Sequence, residues 1–221
     1  AQGLSGARYE HYKIMEPGLV KLMVTKLLNG DTSPQVREVL TSCRGFALDK
    51  GERKVRPVAI GEAIRRIAAR VVCAQDGPAI AKTLEQVMQF GVGIKGGIEY
   101  AYHSVRIHML SRYDQYERDY GRHNGADVGL EVPAGLKIDY KNGYNSTKRS
   151  KMLAQVEQKF PALLRFTRYV YAQRAKFVVM HKGRVIEAID SVHGTQQGDP
   201  LGGHLFALSI YDFMKELRDD F

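Results

Sequence analysis

Cysteine is scarce in this chain. Cys43 and Cys73 are the only two, far apart and without a CxxC pairing, so neither a disulfide framework nor a cysteine zinc site is indicated. Both fall in apolar patterns that read as helical, and both are expected to be buried. The seven histidines show no HExxH or comparable ligand spacing. No apolar run approaches the length of a membrane span, and the opening AQGLSGARYEHYK has no apolar signal core. Internal repeats and low-complexity tracts are absent. GVGIKGG, residues 91–97, is neither GxGxxG after a strand nor GxxxxGK[ST], so nucleotide-loop readings are poor. These absences point to an intracellular, reducing compartment, with nothing to separate nucleus, cytoplasm and organelle.

What is present is ordinary in hydrophobicity and unusual in charge. The 221 residues are 44% hydrophobic and 26% charged, enough for one large domain or two small subdomains. The formal net charge is +9, and it is concentrated. Residues 44–70 carry eight Lys/Arg against three Asp/Glu, and residues 141–176 carry nine against Glu157 alone. The remainder is therefore slightly acidic. Focused positive charge favours a polyanion, and phosphate backbones are the commonest such partner.

The periodicities predict an α+β chain, helix-rich with short antiparallel strands. Leu19, Val20, Met23, Leu27 and Leu28 recur at helical spacing between Pro17 and Gly30. Ser33-Pro34 caps a second helix, with Val36, Val39 and Leu40 expected inward. Residues 45–60 read as two strands joined by a basic turn at Gly51. In 62–72, Ile64, Ile67, Ala68, Val71 and Val72 form the buried face, with Arg65, Arg66 and Arg70 facing away. Gly77-Pro78 is expected to break that helix before a further one with Ile80, Leu84 and Val87. A glycine loop at 91–97 leaves backbone N–H groups free for an anion and leads into a long tyrosine-rich helix. Residues 121–133 have the weakest pattern. Beyond them come a helix at 148–160 with Arg149 outward, a helix opened by Pro161, and a hairpin turning at Lys182-Gly183. An apolar helix follows Asp199-Pro200 and runs through Leu217.

Two stretches carry the chemistry. In the first, GLKIDYKNGYNS (135–146), the apolar run Leu136–Ile138 is expected to be a strand that delivers Asp139 to a loop mouth, with Tyr144 and Asn145 just beyond. A carboxylate on a rigid strand end suits metal binding. In the second, GTQQGDPLGGHLF (194–206), QQGDPL is a specific string. In this order the two resemble motifs A and B of reverse transcriptases of the non-long-terminal-repeat retrotransposon type. RPVAIGEAIRRI and QFGVGIKGGIEYA are similar to segments of the same enzymes' fingers.

The resemblance implies the fingers and first half of the palm of a right-hand polymerase. Residues 1–133 would be a fingers-like subdomain with N-terminal helices, and 134–221 a partial palm. It implies an RNA-directed DNA polymerase relationship, with RNA or an RNA/DNA hybrid as partner and Mg2+ as cofactor. Asp139 would be the catalytic metal ligand, assisted by the Tyr140 carbonyl. Arg56, helped by Lys50, would grip a nucleotide triphosphate, and Tyr144 would stand against the sugar. Gln197 and Gly198 would lie under the nascent base pair. Arg65, Arg66, Gly91, Gly93 and Lys95 would handle the template backbone. Gly143 stands where the family has alanine. One element is missing: the later motif of an aromatic followed by Ala-Asp-Asp does not occur, and Asp219-Asp220 follows motif B too soon to replace it. Two-metal transfer needs converging carboxylates. The 221 residues alone are therefore expected to be inactive, with a further segment or chain completing the palm. The alternative is a non-catalytic, retroelement-derived RNA-binding or structural subunit of a larger assembly.

Overall fold

The computed structural model describes residues 2–49, 51, 55–124, 135, 138–140, 142–182 and 184–220, with the side chains of 55 and 56 excepted. At its centre is a four-stranded sheet of order β2-β1-β3-β4, made of β1 (Cys43–Asp49), β2 (Val55–Gly61), β3 (Ala175–His181) and β4 (Arg184–Ser191). Each half is an antiparallel hairpin: Gly45 faces Ala59 in one, and Phe177 faces Ile189 in the other. The two expected hairpins are therefore present, but the sheet is mixed, because β1 and β3 run parallel with Cys43 opposite Phe177. Parallel strands require a crossover, and here the intervening helices supply it. Gly45 lets the halves join: a Cβ there would come 2.1 Å from Cε1 of Phe177.

The helices are α1 (Tyr9–Lys13), α2 (Pro17–Leu28), α3 (Pro34–Thr41), α4 (Ala63–Glu85), α5 (Gly97–Arg122), α6 (Gly143–Ser146), α7 (Arg149–Lys159), α8 (Pro161–Tyr171), α9 (Gly202–Ser209) and α10 (Tyr211–Asp220). Capping explains several starts. The Glu16 carboxylate accepts from the N–H groups of Gly18 and Leu19, and Ser33 Oγ accepts from Val36, each ahead of a first-turn proline. Among the described residues an apolar core joins α2, α4, α7, α8 and α9 through Leu27, Ile80, Leu84, Met152, Val156, Phe166, Leu205 and Leu208.

Several expectations are corrected. Gly77-Pro78 does not break α4, which runs unbroken through it. An internal proline costs a helix about 3 kcal/mol, whereas each large apolar side chain fully buried gains about 1.5–3 kcal/mol. Ile64 and Val72 before the proline and Ile80 and Leu84 after it enter the same core, so packing wins. Val36 and Val39 are about half exposed, and α3 is held instead by Arg37, which donates to the carbonyls of Arg168 and Tyr169. Cys43 opens a strand rather than lying in a helix, and it is fully buried. The apolar helix after Pro200 is two helices, α9 and α10, interrupted at Ile210. Among the described residues no helix is long and apolar enough to cross a membrane.

Candidate functional site

The loop from Val192 to Leu201 is the meeting point of three distant segments. Gly194 N–H donates to the Thr147 carbonyl (2.7 Å), and Thr195 N–H donates to the Tyr144 carbonyl (2.8 Å). From the other side, Ala59 N–H on the outer edge of β2 donates to the Gln197 carbonyl (2.9 Å). Two glycines permit this closeness. Gly194 (φ 61°) would place a Cβ 2.1 Å from the Tyr144 carbonyl oxygen, and Gly198 (φ 127°) would place one 2.4 Å from that of Ala59. Both therefore combine a left-handed backbone with a backbone neighbour that cannot move aside. Between the loop, β2 and β4 lies an open cleft of about 320 Å3, whose polar lining includes Asn142, Asn145, His193, Gln196 and Gln197, with Ala59 and Phe177 as apolar floor.

The back of the loop is held by buried polar groups. Arg65, 1% exposed, donates from Nη1 to the Thr41 carbonyl (2.9 Å) and from Nη2 to Gln196 Oε1 (2.5 Å). Gln196 Nε2 returns to the same Thr41 carbonyl (2.9 Å). Arg149 donates to the carbonyls of Gly194 and Ser191 and to Ser191 Oγ. Between the two arginines, the Tyr171 hydroxyl donates to Asp199 Oδ2 (2.5 Å), while Asp199 Oδ1 accepts from Leu201 N–H (3.0 Å). Burial, reinforced by the Asp199 charge, pushes the Tyr171 phenol well up, which keeps it a donor.

The expected site residues are only partly assembled. Gln197 lines the cleft and Gly198 sits beside it, although the missing Cβ of Gly198 faces β2. Tyr144, on α6, is stacked on Phe206 of α9 (4.8 Å between ring centroids, 17°), and its ring lies outside the cleft's described lining. A Cβ on Gly143 would come 3.1 Å from Cζ of that Phe206 ring, so the glycine eases the stack. Asp139 is exposed in 138–140, which form no strand. The described ladders of the sheet involve only β1 to β4, and this stretch joins none of them. Its neighbour Tyr140 sets its ring edge-on to Phe213 of α10.

Arg65 and Arg149 do not face outward as the helical period suggested; both are buried, because backbone carbonyls at the loop and strand ends need donors. Arg65 thus reaches no surface where a template backbone could touch it. Arg66 and Arg70 lie over the ring of Tyr9 (4.7 and 5.2 Å). Gly91 and Lys95 are exposed in the loop after α4, and Gly93 packs against Ala81. Lys50 lies outside the described residues. Arg56 is placed in β2 opposite Leu48, its side chain undescribed. No group of three His, Cys, Asp or Glu able to hold a cation occurs among the described residues. Asp139 with the Tyr140 carbonyl does not amount to a two-ion site, and no transfer step follows from them. The buried Thr195–Gln196 pair, Asn142 and His193 were not foreseen as site residues; the only trace in the sequence is the glutamine doublet.

No protein-family model matches the chain, and no curated protein matches it significantly.

Proposed function

We propose that this chain is a reverse-transcriptase-like nucleic-acid-binding unit, the fingers (1–133) and first half of the palm (134–221), that binds RNA or an RNA/DNA hybrid. The observation that carries the reading is the junction of Gln197 with Ala59 and of Thr195 with Tyr144 around one cleft. Motif-like segments far apart in the chain meet there, as a nucleotide-binding corner would require. The amides of Asn142, Asn145 and Gln197 offer both donors and acceptors, a lining suited to a base and sugar. Polymerisation with Mg2+ would require further carboxylates from a completing segment or chain, and the 221 residues alone are inactive in this reading.

A second reading, a non-catalytic RNA-binding or structural subunit, is favoured by Asp139 standing exposed, with no group of three His, Cys, Asp or Glu able to hold a cation among the described residues. Titration of the chain with a labelled RNA/DNA template–primer separates the two, together with primer extension after its completing segment or chain is added. Extension abolished by Asp139→Asn supports the polymerase. Binding that survives Asp139→Asn, with no extension under any divalent metal, supports the subunit. No binding to either RNA or hybrid would sink the polymerase reading and the RNA-binding form of the subunit, leaving only a structural role.

A further inference from the structure

We propose that Arg65 is a positioning residue for the nucleotide contact proposed above for Gln197, acting through Gln196; the inference rests on that reading of the cleft. Among the described residues, Arg65 is a buried cation with no carboxylate in its hydrogen-bonding shell. Its described partners are the Thr41 carbonyl and Gln196 Oε1. Burying a guanidinium is costly unless its donors are used, and a methionine or leucine would fill the volume at less expense. The fork is used to tie two chain segments together. Arg65 and Gln196 both bond to the Thr41 carbonyl, closing a three-membered ring of hydrogen bonds among the end of α3, the start of α4 and the loop. Gly61 makes room for it, since a Cβ there would lie 1.9 Å from Nη2.

The consequence is directional. Gln196, at the buried back of the cleft, is held from behind, so Gln197 beside it is presented at the cleft, its carbonyl on Ala59 and Gly198 against β2. Asp199 is drawn back again by Tyr171. The loop thus alternates between anchored and presented residues, and the Arg65 fork fixes the first anchor. Arg149 holds the loop's entry at Gly194 and does not touch Gln196 or Gln197 by any described hydrogen bond, so the two arginines have separable roles.

The test compares Arg65→Met with the unaltered chain in two measurements. In the first, amide exchange at Ala59 and Leu201, whose N–H groups bond to the loop, is expected to accelerate at least about tenfold, while Asn29, bonded within α2, is unchanged. In the second, the chain is saturated with RNA/DNA template–primer and titrated with a complementary deoxynucleoside triphosphate. The nucleotide Kd is expected to rise about tenfold or more and the duplex Kd by less than about threefold, with Arg65→Lys intermediate. If Arg65→Met does not fold, Gln196→Met removes the same tie from the other side and is expected to behave alike. A folded variant with unaltered loop exchange or unaltered nucleotide affinity overturns the proposal. So does a uniform loss of duplex and nucleotide binding, which would mark a merely structural arginine. An unaltered chain that binds duplex but no nucleotide overturns the positioning role alone; one that binds neither overturns the reading of the protein itself.

Discussion

At the scale of single residues, the loop depends on atoms that are not there. Gly198 has a positive φ and only 2.4 Å between its would-be Cβ and the Ala59 carbonyl oxygen. Gly198→Ala must therefore either strain the backbone or break the Ala59–Gln197 hydrogen bond. A loss of about 1–3 kcal/mol is expected, read as a lower urea midpoint at constant m value. An unchanged midpoint would mean that the loop has an alternative seat. The cysteines offer an independent check on the core. Burial pushes the thiols of Cys43 and Cys73 from an ordinary value of 9.0 up to about 11. The thiolate fraction at pH 8 is then roughly a hundredfold below that of a free thiol, so a disulfide reagent should reach the buried Cys43 only once the chain unfolds and the half-buried Cys73 far more slowly than a free thiol. By linkage, both raised values favour the folded state fully below about pH 9, and that contribution is lost as the pH climbs towards 11. Arg65 and Arg149 show why the site was only half legible. The helical period places them on polar faces, and arginine is usually exposed, so sequence reasoning sends them to solvent. What overrides this is the need of the Thr41, Ser191 and Gly194 carbonyls for donors, and that need arises from chain segments far away in sequence.

At the scale of elements, α4 decides the packing. It keeps Pro78 inside an unbroken helix because the buried stripe continues past it. Pro78→Ala restores a backbone donor and removes the ring's conflict with the preceding turn, at the cost of a looser unfolded chain. A net gain of roughly 1–2 kcal/mol is expected from these opposed terms. A fall in thermal midpoint would show instead that α9 is seated on a kink the proline creates. The hairpins were legible because alternation and a turn residue are local signals. The parallel joining of β1 to β3 was not, since it depends on how the crossover helices pack, and no local pattern encodes that. The tyrosine-rich helix α5 was expected after the glycine loop and is present, yet Ile98, Tyr100, Tyr102, Val105 and Ile107 are all more than half exposed. Local signals locate a helix without saying whether anything covers it.

At the scale of the whole molecule, the structure lowers the charge that is available to a polyanion. In 141–176, the richer basic segment, Arg149 is internal, Arg168 pairs with Glu157, and Arg174 and Lys176 both reach Asp190. Lys148, Lys151 and Arg165 remain exposed on or beside α7 and α8. Three such cations, with Arg70 exposed on α4 and Lys95 exposed in the loop after it, set a modest limit on phosphate contacts. Each contact contributes a slope of about −0.9 on duplex DNA or about −0.7 on single strands when log affinity is plotted against log salt. A slope of roughly −2 to −4 is therefore expected for an RNA/DNA hybrid, shallower than the raw count of basic residues would give. Lys148→Gln with Lys151→Gln should make it shallower by up to about two contacts and weaken binding across sequences alike. Fluorescence anisotropy between low and near-physiological salt measures it directly. A flat response would remove the electrostatic basis for a nucleic-acid partner. A slope far steeper than −4 would require cations from other faces of the molecule to contact the same ligand.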